Sequence, residues 1–441
     1  MDWVILVLAL VLVIWSWKNP RYLLPLLIAS LSLEISCTWF PHLALLDKLG
    51  AFVGIIDLGR IMVLAVIAYY LAARIKKRHR EWALAYYRRP VWQNTLFLIA
   101  ALYILAGLLS LVWSVDPLKT VVTAVRLGVL WLMGLAVYNL VLESRERWLV
   151  PAAFSVMATI VAGIGVYEAV SSRYIWLGEV YQPIGRVNST FVDANILARF
   201  LIIGMLATLV WILTTSSRPG KVLGSGALLL QTAALLASGS RTGWLIAVLV
   251  LLFFLILLPR KVLLYALAGS LILAGINIAF NPAAVGRVLD LQQGIWAASL
   301  QRQYLITAAW DMFVKHPLLG VGSGGFQKYL LTNYSQLVQN GISLSHTAVL
   351  TTAAELGILG LSILGSFLAA LCQPLLKWRR LARQAGHFSA LQDTYSWSVF
   401  AFLAVIAIFI SAQAESRFFE DPFLWIILGY LVAVGDLERM G

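Results

Sequence analysis

Charge is what this sequence has least of. Of its 441 residues, 12% are Asp, Glu, Lys or Arg, against about 25% in soluble domains. Meanwhile 61% are hydrophobic and the mean hydropathy is +0.87. A soluble fold with so little charge leaves large apolar patches facing water, so a soluble protein is excluded. Cysteine is nearly absent as well. Cys37 and Cys372 stand more than 300 residues apart, which supports neither a disulfide framework nor a Cys-based metal site. The five histidines (His42, His79, His316, His346 and His387) show no HxH or HExxH spacing, so no metal is expected. A nucleotide-binding loop is also missing. Gly320-Val321-Gly322-Ser323-Gly324 is glycine-dense but lacks the Lys-Ser/Thr that cradles phosphates. No cofactor is expected, and the energy for any chemistry has to come with the substrate or from an ion gradient.

What is present is a series of long apolar runs. A bilayer core takes roughly 20 apolar residues per helix. Runs of that kind fall at 3–17, 22–40, 52–75, 92–113, 120–142, 149–170, 190–214, 222–238, 242–258, 262–280, 347–372, 395–414 and 422–435. The runs are continuous and do not alternate at period two, which argues against a β-barrel. The expected fold is all-α: a single integral membrane domain over 1–441 with twelve or thirteen transmembrane helices. The first run lacks a basic leader and a small-residue cleavage site and reads as a retained span. One set of loops, with Lys18, Arg74, Lys76, Arg145, Arg218, Arg260 and Lys377 among its residues, holds 20 of the 33 Lys and Arg. The net charge of +13 thus reflects topology rather than nucleic-acid binding, and this set is cytoplasmic. The 171–189 loop, Ser238–Arg241, the 415–421 turn and the 281–346 segment are then external. Within that last segment 285–296 and 301–315 read as helices, with apolar residues at three- and four-residue spacing, and Pro317 ends the second. The reading is a mostly helical external loop capping the outer face.

Charges at outer helix ends are costly and call for a partner. Arg241 lies in the turn Ser238-Gly239-Ser240-Arg241-Thr242-Gly243. It is either a snorkelling arginine or an anion ligand at a helix start, where free N–H groups favour phosphate. Arg186 opens the polar stretch from Gly185 through Asp193 to Asn195. That stretch is either an ordinary external loop or a second anion site facing Arg241. Asp193 is placed to cap the following helix. His346, in Ser345-His346-Thr347, is either a structural hydrogen-bonder or a proton acceptor near neutral pH. Glu355 is nine residues on and is not its helical neighbour. Asp57 and Arg60 are spaced to pair on one helix face. Arg126 and Arg199 either line a polar cavity or pair with carboxylates.

Three of these stretches occur together in order: Arg186 to Asn195, the Ser238–Gly243 turn, and 302–360. The last contains Arg302-Gln303-Tyr304, Trp310, His316-Pro317-Leu318-Leu319-Gly320-Val321-Gly322, Ser345-His346-Thr347 and Glu355-Leu356-Gly357-Ile358-Leu359-Gly360. The set resembles the O-antigen ligase and polymerase superfamily over roughly 180–365. The resemblance implies a multi-span, GT-C-like glycosyltransferase in the bacterial inner membrane with its active site facing the periplasm. The donor is a glycan on undecaprenyl diphosphate, and neither metal nor nucleotide takes part. It implies that Arg186 and Arg241 bind the diphosphate and that His346 is the catalytic base. Arg302 and Asn195 are supporting residues.

The leading expectation is an O-antigen ligase, which transfers the glycan to a sugar hydroxyl of lipid A–core with inversion. A polymerase of the same superfamily, for O-antigen or exopolysaccharide, and a protein O-oligosaccharyltransferase differ from it only in the acceptor. A non-catalytic transporter or lipid flippase is the alternative of another class. Few Gly or Pro residues interrupt the spans, and the polar residues gather at the outer face, which favours the enzyme.

Overall fold

In lipid every backbone polar group has to be satisfied within its own segment, so apolar runs become helices. The computed structural model describes residues 2–40, 42–43, 45, 54–78, 94–144, 147–255, 275, 293–334, 345–384, 396–416 and 418–440. Among these no strand occurs. In chain order the helices are α1 (Asp2–Lys18), α2 (Leu23–Ser32), α3 (Leu58–Arg78), α4 (Thr95–Leu109), α5 (Pro117–Ser144), α6 (Leu149–Ser171) and α7 (Ala194–Thr214). They continue as α8 (Arg218–Ala237), α9 (Arg241–Leu255), α10 (Gln293–Lys315), α11 (Phe326–Asn333), α12 (Ala348–Gln384), α13 (Ser396–Glu415) and α14 (Pro422–Met440). A short helical turn, Gly178–Tyr181, lies in the loop before α7. Among the described residues, eight helices are long and apolar enough to cross a membrane, and Ile5–Lys18 and Pro422–Leu437 are apolar but shorter. The chain is a polytopic all-α membrane protein.

Two expectations change. The run at 22–40 is not one helix: α2 stops at Ser32, and Glu34–Thr38 is a 3-10 turn. The loop before α7 takes over the backbone there. Ile35 N–H donates to the Thr190 carbonyl at 2.9 Å, and the Glu34 carboxylate accepts from Val192 N–H at 2.9 Å. The expected break between 296 and 301 is also absent, since α10 runs unbroken from Gln293 to Lys315. The residues between, Ala297-Ala298-Ser299-Leu300, contain no helix breaker. The run at 262–280 lies outside the described residues apart from Gly275, as does the stretch 285–292.

The core centres on α7, which packs against α6, α8, α9 and α13. In α7 and α13 67% of the spanning window is buried, against 28% in α4 and α8. Lipid provides no hydrophobic drive between helices, so close van der Waals packing on small residues has to hold them. Gly204 of α7 shows this, because an added Cβ would sit 2.0 Å from the Ala158 Cβ of α6. A buried polar knot joins the same helices. Gln231 Nε2 donates to Thr159 Oγ1 at 2.9 Å, and the hydroxyls of Ser155 and Thr208 lie 2.7 Å apart. Each such bond contributes about 0.6 kcal/mol inside a membrane.

A second packing unit sits on α12. Leu305, Ala308, Ala309 and Met312 of α10 are buried with Val321, Phe326, Leu330 and Ala354. Here α12 is broken at Gly357, whose φ of 60° and ψ of −150° are non-helical. The break frees carbonyls that a continuous helix would consume. Val321 N–H donates to the Ala354 carbonyl and Gly322 N–H to the Glu355 carbonyl, both at 2.9 Å. In return Ile358 N–H reaches the Pro317 carbonyl at 2.8 Å. The two stretches His316–Gly322 and Glu355–Gly360 are therefore one interlocked joint.

Candidate functional site

The loop before α7 is polar, yet buried and stitched down. Asn188, Ser189 and Thr190 are almost wholly buried. The carboxylate of Glu168, in α6, accepts from Ser189 N–H at 2.8 Å and from Ile175 N–H at 3.0 Å. Thr190 Oγ1 donates to the Ser32 carbonyl at 2.6 Å. The Asp193 side chain accepts from Asn195 N–H at 2.6 Å and caps α7, as its position suggests. Arg186 thus projects from a fixed base. Its Nε donates to the Ser238 carbonyl at 2.8 Å and its Nη2 to Asn195 Oδ1 at 2.9 Å. The backbone follows, with Val187 N–H donating to the Ala237 carbonyl at 3.3 Å.

The Ser238–Arg241 turn is the other wall. Gly239 adopts φ 61°, and Ser240 Oγ accepts from Gly243 N–H at 3.2 Å, capping α9. Gly243 lies where a Cβ would approach the Ala198 Cβ of α7 to 2.8 Å, so α9 starts hard against α7. Arg241 is the first residue of α9 and is exposed. Arg302 of α10 is exposed too. Among the described residues neither forms an ion pair. Both lie close enough to repel the half-buried Arg186. Burial lowers the Arg186 pKa most, Arg241 and Arg302 push the same way, and Asp193 opposes them. Three guanidiniums therefore face one region, stabilised nearby by a single named carboxylate.

His346 sits where the chain enters α12. Its φ of 60° is left-handed, which costs a non-glycine residue about 1–2 kcal/mol and is typical of functional positions. Ser345 imposes it: this buried side chain accepts from Thr347 N–H at 3.2 Å and lies 2.8 Å from Thr351 Oγ1. The Ala414 carbonyl of α13 lies beside the imidazole. Burial and then the Arg302 charge hold His346 below histidine's ordinary pKa, while the Ala414 carbonyl and Asp193 act in the other direction. The ring is thus neutral near pH 7 and able to accept a proton.

The five residues singled out in the sequence, Arg186, Asn195, Arg241, Arg302 and His346, are therefore neighbours. The remaining charges are engaged elsewhere. Asp57 and Arg60 pair at 3.1 Å, as their spacing suggests. Arg126 bonds Glu420 at 2.9 Å, and Arg199 is held by Glu415 and Asp421. Glu355 serves the joint, its carboxylate accepting from Phe326 N–H at 3.4 Å at the start of α11. Sequence reasoning missed Glu34 and Glu168, which pin the Arg186 loop. Each is an isolated carboxylate in an apolar run, a signal that was there to use. It also missed the Ala414 carbonyl, which has no side-chain signature. Among the described residues no group of three His, Cys, Asp or Glu side chains is placed to hold a metal.

Residues 226–365 match the family model described as O-antigen ligase. The resemblance to the O-antigen ligase and polymerase superfamily is borne out over that stretch, about a third of the chain. The match implies a glycosyltransferase-like membrane enzyme. No curated protein matches the chain. The matched stretch contains Arg241, Arg302 and His346 but not Arg186 or Asn195, which reach the site only through the fold.

Proposed function

We propose that the chain is an O-antigen ligase. It transfers a polysaccharide from undecaprenyl diphosphate to a sugar hydroxyl of lipid A–core, at the periplasmic face of the inner membrane. The observation that carries this reading is the gathering of Arg186, Arg241 and Arg302 beside His346, with two of the cations lacking any carboxylate among the described residues. Such a cluster is suited to a dianionic leaving group. The acceptor hydroxyl attacks the anomeric carbon as the bond to the diphosphate oxygen breaks, and the electron pair leaves with the diphosphate. His346 takes the hydroxyl proton, a step worth about 10²–10⁴ in rate. The guanidiniums stabilise the charge that develops on the leaving oxygen, worth about 10²–10³ per donor lost. Arg186 is held in place by Asn195. A single displacement inverts the anomeric centre.

The test is an envelope-glycan gel from a deletion strain complemented with wild type or His346→Ala. For a ligase, full-length polymer accumulates on the lipid carrier, and only wild type restores the ladder on lipid A. A single repeat on the core with no ladder would instead mark a polymerase of the same superfamily. Full rescue by His346→Ala removes the base assignment.

A further inference from the structure

Four residues beyond Asn195, and so on the same face of α7, lies a buried charge that the transfer step does not use. Arg199 is 6% exposed, and its two partners, Glu415 and Asp421, are 13% and 0% exposed. Its Nη1 bonds Glu415 Oε2, and its Nε lies 2.8 Å from Asp421 Oδ2. Glu415 is the last residue of α13, and Asp421 caps α14 by accepting from Phe423 N–H at 2.8 Å. One guanidinium therefore clamps both sides of the turn between the last two helices. Ser411 Oγ donates to Glu415 Oε1 at 3.1 Å and restrains that side chain further.

The clamped helix end is also the seat of His346. The last carbonyls of a helix have no partner within it. The Ala412 carbonyl is taken by Ser416 N–H at 2.8 Å, and the Ala414 carbonyl lies beside the His346 ring. Next to it, Gln413 Oε1 accepts from Val349 N–H at 3.4 Å. The end of α13 thus lies against the start of α12, immediately beside Glu415.

We propose that Arg199 is a positioning residue for His346. By holding Glu415 and Asp421 it fixes the end of α13, against which the start of α12 and the imidazole rest. The α7 helix then serves both halves of the site, Arg186 through Asn195 and His346 through Arg199. The inference rests on the base role proposed for His346, but its test is separate.

Diethyl pyrocarbonate acylates neutral, accessible imidazole, so its rate at His346, read by peptide mass spectrometry on the purified full-length protein across about pH 5.5–8, reports the ring directly. Glu415→Gln keeps the size of the side chain and loosens the clamp. Its His346 labelling is expected to rise about threefold or more, with transfer in cells falling about tenfold to a hundredfold. Arg199→Lys, which keeps the cation without the fork, should lie between this and wild type, and it stands in if Glu415→Gln does not fold. Gln231→Leu is the control, since it loosens α6–α8 away from the α13 end and should leave the labelling profile as in wild type. The proposal is overturned if the clamp variants label like wild type, or if Gln231→Leu alters the profile as much as they do. Failure of His346→Ala to abolish transfer would remove the base role while leaving the labelling result standing.

Discussion

Around Gly357 the N–H groups of Val321, Gly322 and Ile358 all find carbonyls across the joint. Around Arg241 two guanidiniums face outward with no carboxylate among the described residues. Both regions carry motifs of the same family resemblance, and both are built from glycine turns, serines and an isolated charge. In the joint the charge is Glu355, turned inward onto Phe326 N–H, and the polar groups satisfy one another. In the site the polar groups hold Arg186 and the backbone of the two turns, and leave Arg241 and Arg302 without an ion pair among the described residues. In one region the polar groups are paired, and in the other two cations form no ion pair among the described residues, which is what the proposed anion site requires. Motif density alone does not separate a structural lock from a binding site, whereas the hydrogen-bond balance does.

The comparison breaks most visibly if the joint tolerates change. In Gly357→Ala the new Cβ would lie 2.5 Å from the Leu318 carbonyl carbon at a φ of 60°. Left-handed strain and that clash together are expected to destabilise the fold by about 3 kcal/mol or more, read as lost monodisperse protein in size-exclusion chromatography after detergent extraction. A variant that extracts and melts like wild type would show that the joint is not tight. At the site the effect should fall on rate instead. Arg241→Ala is expected to lower glycan attachment by about 10²–10³ at unchanged levels of folded protein, with Arg241→Lys partly restoring it. A melting loss as large as that of Gly357→Ala would make Arg241 a structural residue. The smallest effect is a shift in pH dependence. A base has to be neutral, so transfer falls as pH drops through the His346 pKa. Arg302 lowers that pKa, so Arg302→Gln should raise it and move the acid limb of the pH–rate profile to higher pH. An unmoved limb would separate Arg302 from His346.

Hydropathy placed most of the helices because each is set by its own composition. The runs at 149–170 and 395–414 match α6 and α13 to within a residue or two. The 22–40 run misled because the groups that bend it, Glu34 and Val192, are 158 residues apart. The site divides in the same way. Arg186, Arg241 and His346 were legible as polar residues at the ends of apolar runs, and the Asp57–Arg60 pair as local spacing. Arg126 and Arg199 stayed ambiguous because their carboxylates lie 294 and 216 residues away. No pattern of side chains announces a main-chain acceptor such as the Ala414 carbonyl.

The reach of Arg199 also bears on how the molecule comes into being. The cation enters with α7, while Glu415 follows 216 residues later. Until then α7 carries a charge without either of its ion-pair partners, Glu415 and Asp421, a state that favours the water interface over the bundle centre. Under the positioning role proposed for Arg199, arrival of α13 and α14 pairs the cation and seats His346 together. The proposed role therefore predicts that a chain cut short before Glu415 has both a stranded cation in α7 and an unoriented histidine.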